Sequence, residues 1–451
     1  MKCRKLVVVL GVTALIVVLG TANSSSVGAA SSLCGACDST FGVDGDGLAL
    51  GFAGLAYEAV VQPDGKTLLL VGGQDELSVT VERLNVDGSP DYGFGGNGID
   101  GIAELSFHPD SLNEYPSAMT LAPDPNPPEN PIAGAPEDFD IVISGWIRLA
   151  ATSNNSKGKG KKNSNSIIDH MVVARLNSDG SMETGFGTYG VLILDAGSNQ
   201  PADTGIAVDS EGRILVSARF GFEGALFRVD PHGPGRDLFQ DVSVLMGSIA
   251  VVSSEPYVDY VVGQGGGTVV RWTKDGEIDP NFAPIDVPGI RIHMAVSPID
   301  GSVFVASVLQ VETGKGRNKT RTETVAVSQY DANGGLLSEF VPYDGGGSES
   351  LMDLEIDPEG RVVAVVRSFD DMGNDFEIKA IVRWDPDDPL REPDVLPYFL
   401  PADAGTLFED VIVFSVAFGL VSRPEENPVK VMVLGGSHWP TGRPAAIRMF
   451  R

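Results

Sequence analysis

Apolar residues in this chain come in short runs, broken at regular intervals by Pro, Asp and Gly. In the clearest stretch Ala59-Val60-Val61 runs into Gln62-Pro63-Asp64-Gly65-Lys66 and then into Thr67-Leu68-Leu69-Leu70. The same order returns from Ile206 to Val216, from Met294 to Val305 and from Leu354 to Val363, with weaker copies near Met119, Ile249 and Val411. Pro presets φ for a turn and Gly takes its positive-φ position, so each stretch predicts two antiparallel strands joined by a tight turn.

Two further modules follow in fixed order. One is a strand ending in a turn. It reads Arg83-Leu84-Asn85-Val86-Asp87-Gly88 and recurs from Arg175, Arg228, Arg271, Gln329 and Arg383. A last copy starts at Arg448, where the sequence stops mid-module. The other centres on Phe-Gly, as in Asp91 to Gly98 and Glu183 to Gly190, with weaker forms ending at Phe239, Phe282, Phe340 and Phe399. An orphan copy of it lies early, from Asp38 to Gly45. The orphan at the start and the orphan at the end complete one repeat, and seven repeats of four strands each result. The expected fold is therefore all-β: a seven-bladed β-propeller of four-stranded blades. Its ring would close by pairing an N-terminal strand around Phe41 with a C-terminal strand around Met449 in one blade, which leaves no exposed sheet edges. Residues 31–451 spread over seven repeats give about 60 each, against about 40–50 in propellers generally, so long loops are expected.

The composite Gln62-Pro63-Asp64-Gly65-Lys66, Arg83-Leu84-Asn85-Val86-Asp87-Gly88-Ser89 and Phe94-Gly95-Gly96-Asn97-Gly98 resembles the bacterial delta-60 repeat, a tandem β-propeller repeat of exported bacterial proteins. The likeness extends over essentially residues 38–451. It is sharp in the first repeat and in residues 171–190, and degraded in the fourth, fifth and seventh. The resemblance implies an exported propeller and brings no catalytic residues with it.

The N-terminus agrees with export. Lys2, Arg4 and Lys5 precede an apolar core from Leu6 to Leu19, and Val27-Gly28-Ala29 and Gly28-Ala29-Ala30 fit the small-x-small rule of signal peptidase. That core is short for a span of about 17–25 residues. A signal peptide over residues 1–30 is expected, with an uncleaved anchor as the alternative. A leader over 31–37 would follow, then a single domain over 38–451. Cleavage would leave no integral membrane span and place the protein outside the cytoplasm, secreted, periplasmic or at the cell surface. Cys34 and Cys37 then form a C-x-x-C in a Gly/Ser/Ala leader with no helix pattern after it, so a local disulfide is expected rather than a redox site. A lipid-modified cysteine is the other reading, although Leu33 and Cys34 fit its motif poorly.

Charge narrows the partners. Lys+Arg 32 against Asp+Glu 61 leaves a net charge of −29, which excludes a nucleic-acid grip through phosphate neutralisation. At 42% hydrophobic and 21% charged residues the chain is too apolar for wholesale disorder. Against this balance, two second-to-third-strand loops concentrate cations. Ser153 to Ile167 holds Lys157, Lys159, Lys161 and Lys162, and Val311 to Thr324 holds Lys315, Arg317, Lys319 and Arg321. They read either as a basic clamp for an anionic ligand or as plain solvated loops. Pro123 to Glu137 and Arg423 to Pro428 read as stiff, extended excursions.

Catalytic motifs are sparse. His108, His170, His232, His293 and His438 form no H-E-x-x-H and no zinc spacing, and neither a P-loop nor a G-x-S-x-G is present. Asp44-Gly45-Asp46-Gly47 resembles a fragment of a calcium loop, but the ligand spacing fails after Asp46. Asp44 and Asp46 are weak metal candidates, and otherwise no cofactor is expected. The Arg recurring at one position of six modules points to structure, because catalysis needs asymmetry. The recurring Phe points to packing between blades, and Trp272 and Trp384 to the core. The expected function is a non-enzymatic, monomeric binding module for a protein or polysaccharide. One alternative is a propeller hydrolase or lyase with a carboxylate or calcium site at the channel. It would need at least three acidic or His side chains from different blades close enough to perturb one another's ionisation. The other alternative is a structural or adhesive surface component.

Overall fold

The structure is a computed structural model. It describes residues 38, 40–42, 47–52, 54–72, 78–95, 101–125, 139–150, 167–194, 201–202, 205–220, 223–231, 236–242, 248–265, 267–287, 290–313, 320–340, 348–357, 359–369, 376–384, 394–396, 411–423, 426–438 and 443–450.

All regular elements among these residues are strands, and every sheet pairing is antiparallel. Sheet 1 contains β2 (Leu55–Val61), β3 (Thr67–Gly72), β4 (Val79–Leu84) and β5 (Ile102–Leu105). Sheet 2 contains β6 (Ser111–Pro123), β7 (Phe139–Ala150), β8 (Ile167–Leu176) and β9 (Val191–Leu194). In sheet 3 the first strand is split into β10 (Pro201–Ala202) and β11 (Ile206–Val208), followed by β12 (Ile214–Phe220), β13 (Glu223–Val229) and β14 (Arg236–Val242). Sheet 4 has β15 (Ile249–Val251), β16 (Val261–Gly265), β17 (Thr268–Trp272) and β18 (Ile285–Asp286). Sheet 5 has β19 (Ile290–Val296), β20 (Val303–Thr313), β21 (Thr320–Tyr330) and β22 (Leu336–Phe340). Sheet 6 has β23 (Ser348–Ile356), β24 (Val362–Phe369), β25 (Phe376–Trp384) and β26 (Asp394–Leu396). Sheet 7 takes β27 (Val411–Arg423), β28 (Glu426–His438) and β29 (Arg443–Phe450) from the C-terminal end and β1 (Leu48–Leu50) from the N-terminal end. First strands pack in series, β2 on β6, β6 on β11, β11 on β15, β15 on β19, β19 on β23 and β23 on β27, and β27 in turn packs on β2.

The predicted turns are present. Gln62 N–H donates to Lys66 O across the first hairpin, and Gly65 adopts φ +84°. Asp209 and Asp357 do the same work with more bonds: each accepts two backbone N–H groups on one carboxylate oxygen and an Arg side chain on the other. This is the Asx chemistry that fixes a hairpin register. The middle strands explain the continuous apolar runs. In β3 every residue is buried. Leu68 and Leu70 face sheet 2 and pack with Ile141, Ile143, Val172 and Ala174. Leu69 and Val71 face the other way, toward Phe41, Ala49 and Ala446. A strand buried on both faces has no polar side to alternate.

Two expectations are corrected. The strand that joins the two ends is not the stretch around Phe41 but Leu48–Leu50, paired with Ala445–Ile447, whereas Met449 pairs within the C-terminal hairpin to Met432. Phe41 itself is a buried turn residue just before that strand. Phe94 and Phe186 likewise precede β5 and β9, so the Phe-Gly module is a turn that launches the outer strand. Secondly, the expected excursion at Arg423 to Pro428 is cut short by strands on both sides, with Arg423 opposite Glu426, while Pro424 and Glu425 lie outside the described residues.

Between sheets the recurring Arg does one job. Arg83 donates through Nε to Asp91 at 2.8 Å and through Nη1 to Ser178 O in the next sheet at 2.5 Å. Arg271 pairs with Asp279 and bonds Ala332 O of sheet 5, and Arg228 bonds Lys274 O of sheet 4. Arg448 pairs with Asp38 and bonds Val86 O of sheet 1. The Phe-Gly turn docks beside it: Gly95 N–H donates to Asp179 O, Gly42 N–H to Asp87 O and Ala283 N–H to Asn333 O. The Arg83, Arg448 and Arg271 guanidiniums lie 4.3, 4.4 and 4.9 Å over the Phe94, Phe41 and Phe282 rings. Sheet 2 varies the theme. Its acid is Glu183, which turns back to Gly185 N–H, and Arg175 pairs instead with Asp140 of β7. The structural reading of Arg and Phe therefore holds, and Trp272 is core at 1% exposure.

Candidate functional site

The residues singled out from sequence mostly lie outside the described set. This applies to Cys34, Cys37, Asp44, Asp46, Lys157, Lys159, Lys161, Lys162, Lys315, Arg317 and Lys319. Arg321 is described only in backbone, and its place is corrected. It is in β21 opposite Glu312, because the β20–β21 hairpin continues to a Thr313–Thr320 pair and shortens the expected loop. Among the described residues no group of three or more His, Cys, Asp or Glu is placed to hold a metal ion.

The asymmetric features are on the first strands. Several of these strands carry a β-bulge at the same register. The register shifts between Ala56 and Glu58, Pro116 and Ala118, Ile290 and His293, Leu351 and Asp353, and Val413 and Ser415. A bulge leaves one residue unpaired and re-aims its neighbours. The residues just after it are Glu58, Ala118, His293, Asp353 and Ser415 in sheets 1, 2, 5, 6 and 7. Acids thus occupy this level in sheets 1 and 6, and Glu355 stands two residues further along β23.

Glu58, Asp353 and Glu355 feel one another across the two sheets. Burial, then repulsion from Asp353 and Glu355, pushes the Glu58 carboxyl well above its ordinary range, with the Ala59 N–H opposing. Burial and Asp353 push the Glu355 carboxyl up to about 8, with the Ile356 N–H opposing. Crowded carboxyls of this kind cannot all ionise at neutral pH, so at least one holds a proton. Such an arrangement can donate a hydrogen bond or a proton from an acid kept neutral. The sequence carried a partial signal. At the register of Glu355 the aligned hairpins have Val60, Thr120, Ala207, Ala250 and Ala295, so an acid there is out of pattern.

A second asymmetric feature adjoins the first. Tyr57 is the bulge residue of β2, and its ring covers Gly72 of β3. A Cβ on Gly72 would stand 2.7 Å from Tyr57 Cε2 and 3.5 Å from Pro116 Cγ of sheet 2. Next to Pro116, Tyr115 stacks on Trp146 with ring centroids 3.9 Å apart. Arg148 lies 5.4 Å over the Trp146 ring and is held by Asp169 at 2.9 Å. Phe52 and Leu112, 38% and 45% exposed, occupy matching positions ahead of the bulges of sheets 1 and 2.

Known proteins bear on this architecture at the level of fold. Residues 62–94 match the family model of a domain of unknown function described as a β-propeller (DUF5122). The fold is a β-propeller. The matched segment spans the first hairpin, the Arg83 strand and the first Phe-Gly turn. No curated protein matches the chain. A solved structure of a catalytically inactive virginiamycin B lyase from Staphylococcus aureus with quinupristin is similar at 12% identity and a TM-score of 0.44, covering 90% of this chain and 99% of that one. AofleA from Arthrobotrys oligospora is similar at 10% identity and a TM-score of 0.37, covering 77% and 89%. Prolyl oligopeptidase B from Galerina marginata is similar at 10% identity and a TM-score of 0.40, covering 89% of this chain and 48% of that one. Similarities this low transfer no activity. No helix among the described residues is long and apolar enough to cross a membrane.

Proposed function

We propose that the chain is an exported, seven-bladed propeller of delta-60-type repeats, closed through β1 and β29, that acts as a non-enzymatic binding module. The closed ring is supported by Arg448, which reaches Val86 of sheet 1 as Arg83 reaches Ser178 of sheet 2. The binding role rests on one observation. Repeated Arg, Phe and Asp-Gly contacts build a symmetric scaffold, whereas Phe52, Tyr57 and Leu112, in or just ahead of the first strands of sheets 1 and 2, are large apolar side chains left exposed. Exposed large apolar side chains outside the repeated contacts are the surface this scaffold offers to a partner. Export is tested by N-terminal sequencing of the protein secreted from a bacterial host, with the mature start expected after Ala29 or Ala30. Binding is tested on peptide and glycan arrays. The expected result is a set of ligands held by the parent and lost with Tyr57→Ala; identical array profiles would refute the site.

A second reading has its own observation. In the Glu58, Asp353 and Glu355 group the Glu58 and Glu355 carboxyls are raised above their ordinary range, as an acid catalyst requires. It draws on two sheets rather than on the several expected of a channel site. Polysaccharide cleavage that disappears in Glu355→Gln would favour this enzyme reading over the binding module.

A further inference from the structure

A second surface, on sheet 2, uses none of the Phe52, Tyr57 and Leu112 side chains and so goes beyond the binding surface named above. We propose that Tyr115, Trp146, Arg148 and Asp169 form a binding site for a neutral saccharide, on the part of sheet 2 that runs past the end of sheet 3.

The site follows from hairpins of unequal length. Val142, Met171 and Val173 pack against Ile214 and Val216 of sheet 3. Trp146 stands opposite Tyr115 and Met171, and Arg148 opposite Asp169, so these side chains continue the same face of sheet 2. Counted from the pairs beside the recurring Arg, Ile214 with Val229 and Ile141 with Leu176, the sheet 3 hairpin turns at Phe220 and Glu223. That is level with Ile147 and His170, whereas the sheet 2 hairpin continues to Ala150 and Ile167. Burial changes where the neighbouring sheet ends. Val142 and Ser144 are buried, Trp146 and Arg148 half-buried, Ala150 exposed and Ile167 53% exposed. The aromatic pair is foreign to the repeat. The positions matching Tyr115 and Trp146 hold Leu55 and Gly72 in sheet 1, Ile290 and Val308 in sheet 5 and Ile412 and Ser437 in sheet 7. Packing between sheets therefore does not call for rings here.

The two rings stack at 3.9 Å, and the Arg148 guanidinium lies 5.4 Å over Trp146 and donates through Nε to Asp169 at 2.9 Å. A strip of two rings beside a donor and an acceptor fits a pyranose. Its C–H face packs on an aromatic ring, and its hydroxyls both donate and accept. Charge turns the other classes away. The Arg148 and Asp169 charges cancel, so the strip selects neither sign. A basic side chain finds the place of a cation at Trp146 taken by Arg148. A polyanion is repelled by the net charge of −29.

The probes are neutral cello-, manno-, xylo- and galacto-oligosaccharides, titrated into the full mature protein, with oligogalacturonate and an alternating Lys/Leu peptide as charged arms. Binding of at least one neutral series is expected, with a change in tryptophan emission, and about tenfold weaker in Trp146→Ala. Asp169→Asn removes the charge that balances Arg148. Neutral affinity should fall in it while oligogalacturonate binds better than to the parent, and this reversal carries the test should Trp146→Ala fail to fold. Tyr92→Ala removes a ring that is 67% exposed on a turn after β4 and leaves affinity unchanged. Parent-like neutral binding in Trp146→Ala and Asp169→Asn overturns the proposal, as does tighter binding of either charged probe by the parent. Loss in Tyr57→Ala with none in Trp146→Ala moves the saccharide to the Tyr57 surface, so this site fails and the binding module stands. If no oligosaccharide binds to the folded protein, this site also fails, and the peptide arrays decide the binding module separately.

Discussion

Arg448 and Asp38, 410 residues apart in sequence, form a buried ion pair at 2.7 Å. The backbone repeats the relationship, since Asp38 N–H donates to Arg448 O. Elsewhere the same two bonds are local. Asp91 N–H donates to Arg83 O and Asp279 N–H to Arg271 O, each pair only eight residues apart, with the matching ion pair beside it. The split repeat is thus rebuilt to the pattern of the intact ones, and a contact that is local in those turns here joins residues 410 apart.

Removing one partner of a buried pair strands the other charge and costs about 3–5 kcal/mol. Arg448→Met should therefore lower the unfolding free energy by about that amount. Arg83→Met should cost less, because Asp91 keeps Lys66 at 2.9 Å. Denaturant unfolding of both variants against the parent measures the difference. Equal losses would show that the terminal pair holds no special place.

Glycine at the Asp-Gly turn is needed twice over where the next Phe docks. Gly180 has φ +87°, and a Cβ there would stand 2.8 Å from the Phe94 ring of the neighbouring sheet. Gly212 has a similar φ of +77° but nothing nearer than 3.9 Å. Gly212→Ala should thus cost about 1 kcal/mol of backbone strain alone. Gly180→Ala should cost about 1–3 kcal/mol more from overpacking. Thermal unfolding of the two variants separates the terms.

Acid should loosen the contacts between sheets. Burial raises the Asp38 carboxyl, but Thr40 and Arg448 outweigh it and hold the group below its ordinary 3.8. Asp91 is depressed against the same burial by Lys66, Arg83 and the Gly93 N–H, and Asp279 by Asn281 and Arg271. A depressed carboxylate stabilises above its unfolded value, and that contribution is lost as pH falls through the lower folded value. The melting temperature of the parent should therefore drop below about pH 4, and Asp38→Asn should show a shallower drop from a lower start. Melting curves across that range give the comparison.

The repeat was legible because its signals are chemical and local. Pro63-Asp64-Gly65 and Asp87-Gly88 prescribe turns through φ, and Arg83 recurs wherever a turn of the next sheet must be met. The joining strand was misplaced because Phe41-Gly42 carries the visible motif while Leu48-Ala49-Leu50 is an unremarkable apolar triplet. Its role depends on Ala445 to Ile447, far away in sequence. The candidate site was hidden for a related reason. Bulges at Tyr57 and Met352 leave no mark in an alternating pattern, yet they set where Glu58 and Asp353 stand. The encounter of Glu58 with Glu355 is a property of two strands brought together by the fold.

That encounter makes a prediction of opposite sign to the acid one. Glu355 titrates near 4.5 in the unfolded chain and at about 8 in the folded one. Between these values the folded state holds the extra proton, so its stability falls as pH rises through the window and is lowest above it. Glu355→Gln is a neutral mimic of the protonated acid. Near pH 5 it should melt with the parent, and near pH 9 it should melt a few degrees higher. Glu58→Gln should act in the same direction, because Glu355 contributes to its shift. The double variant should gain less than the sum of the two, since each removes part of the repulsion the other relieves. Melting temperatures at both pH values for the four proteins complete the cycle. Strict additivity would mean that the two carboxyls do not share a site.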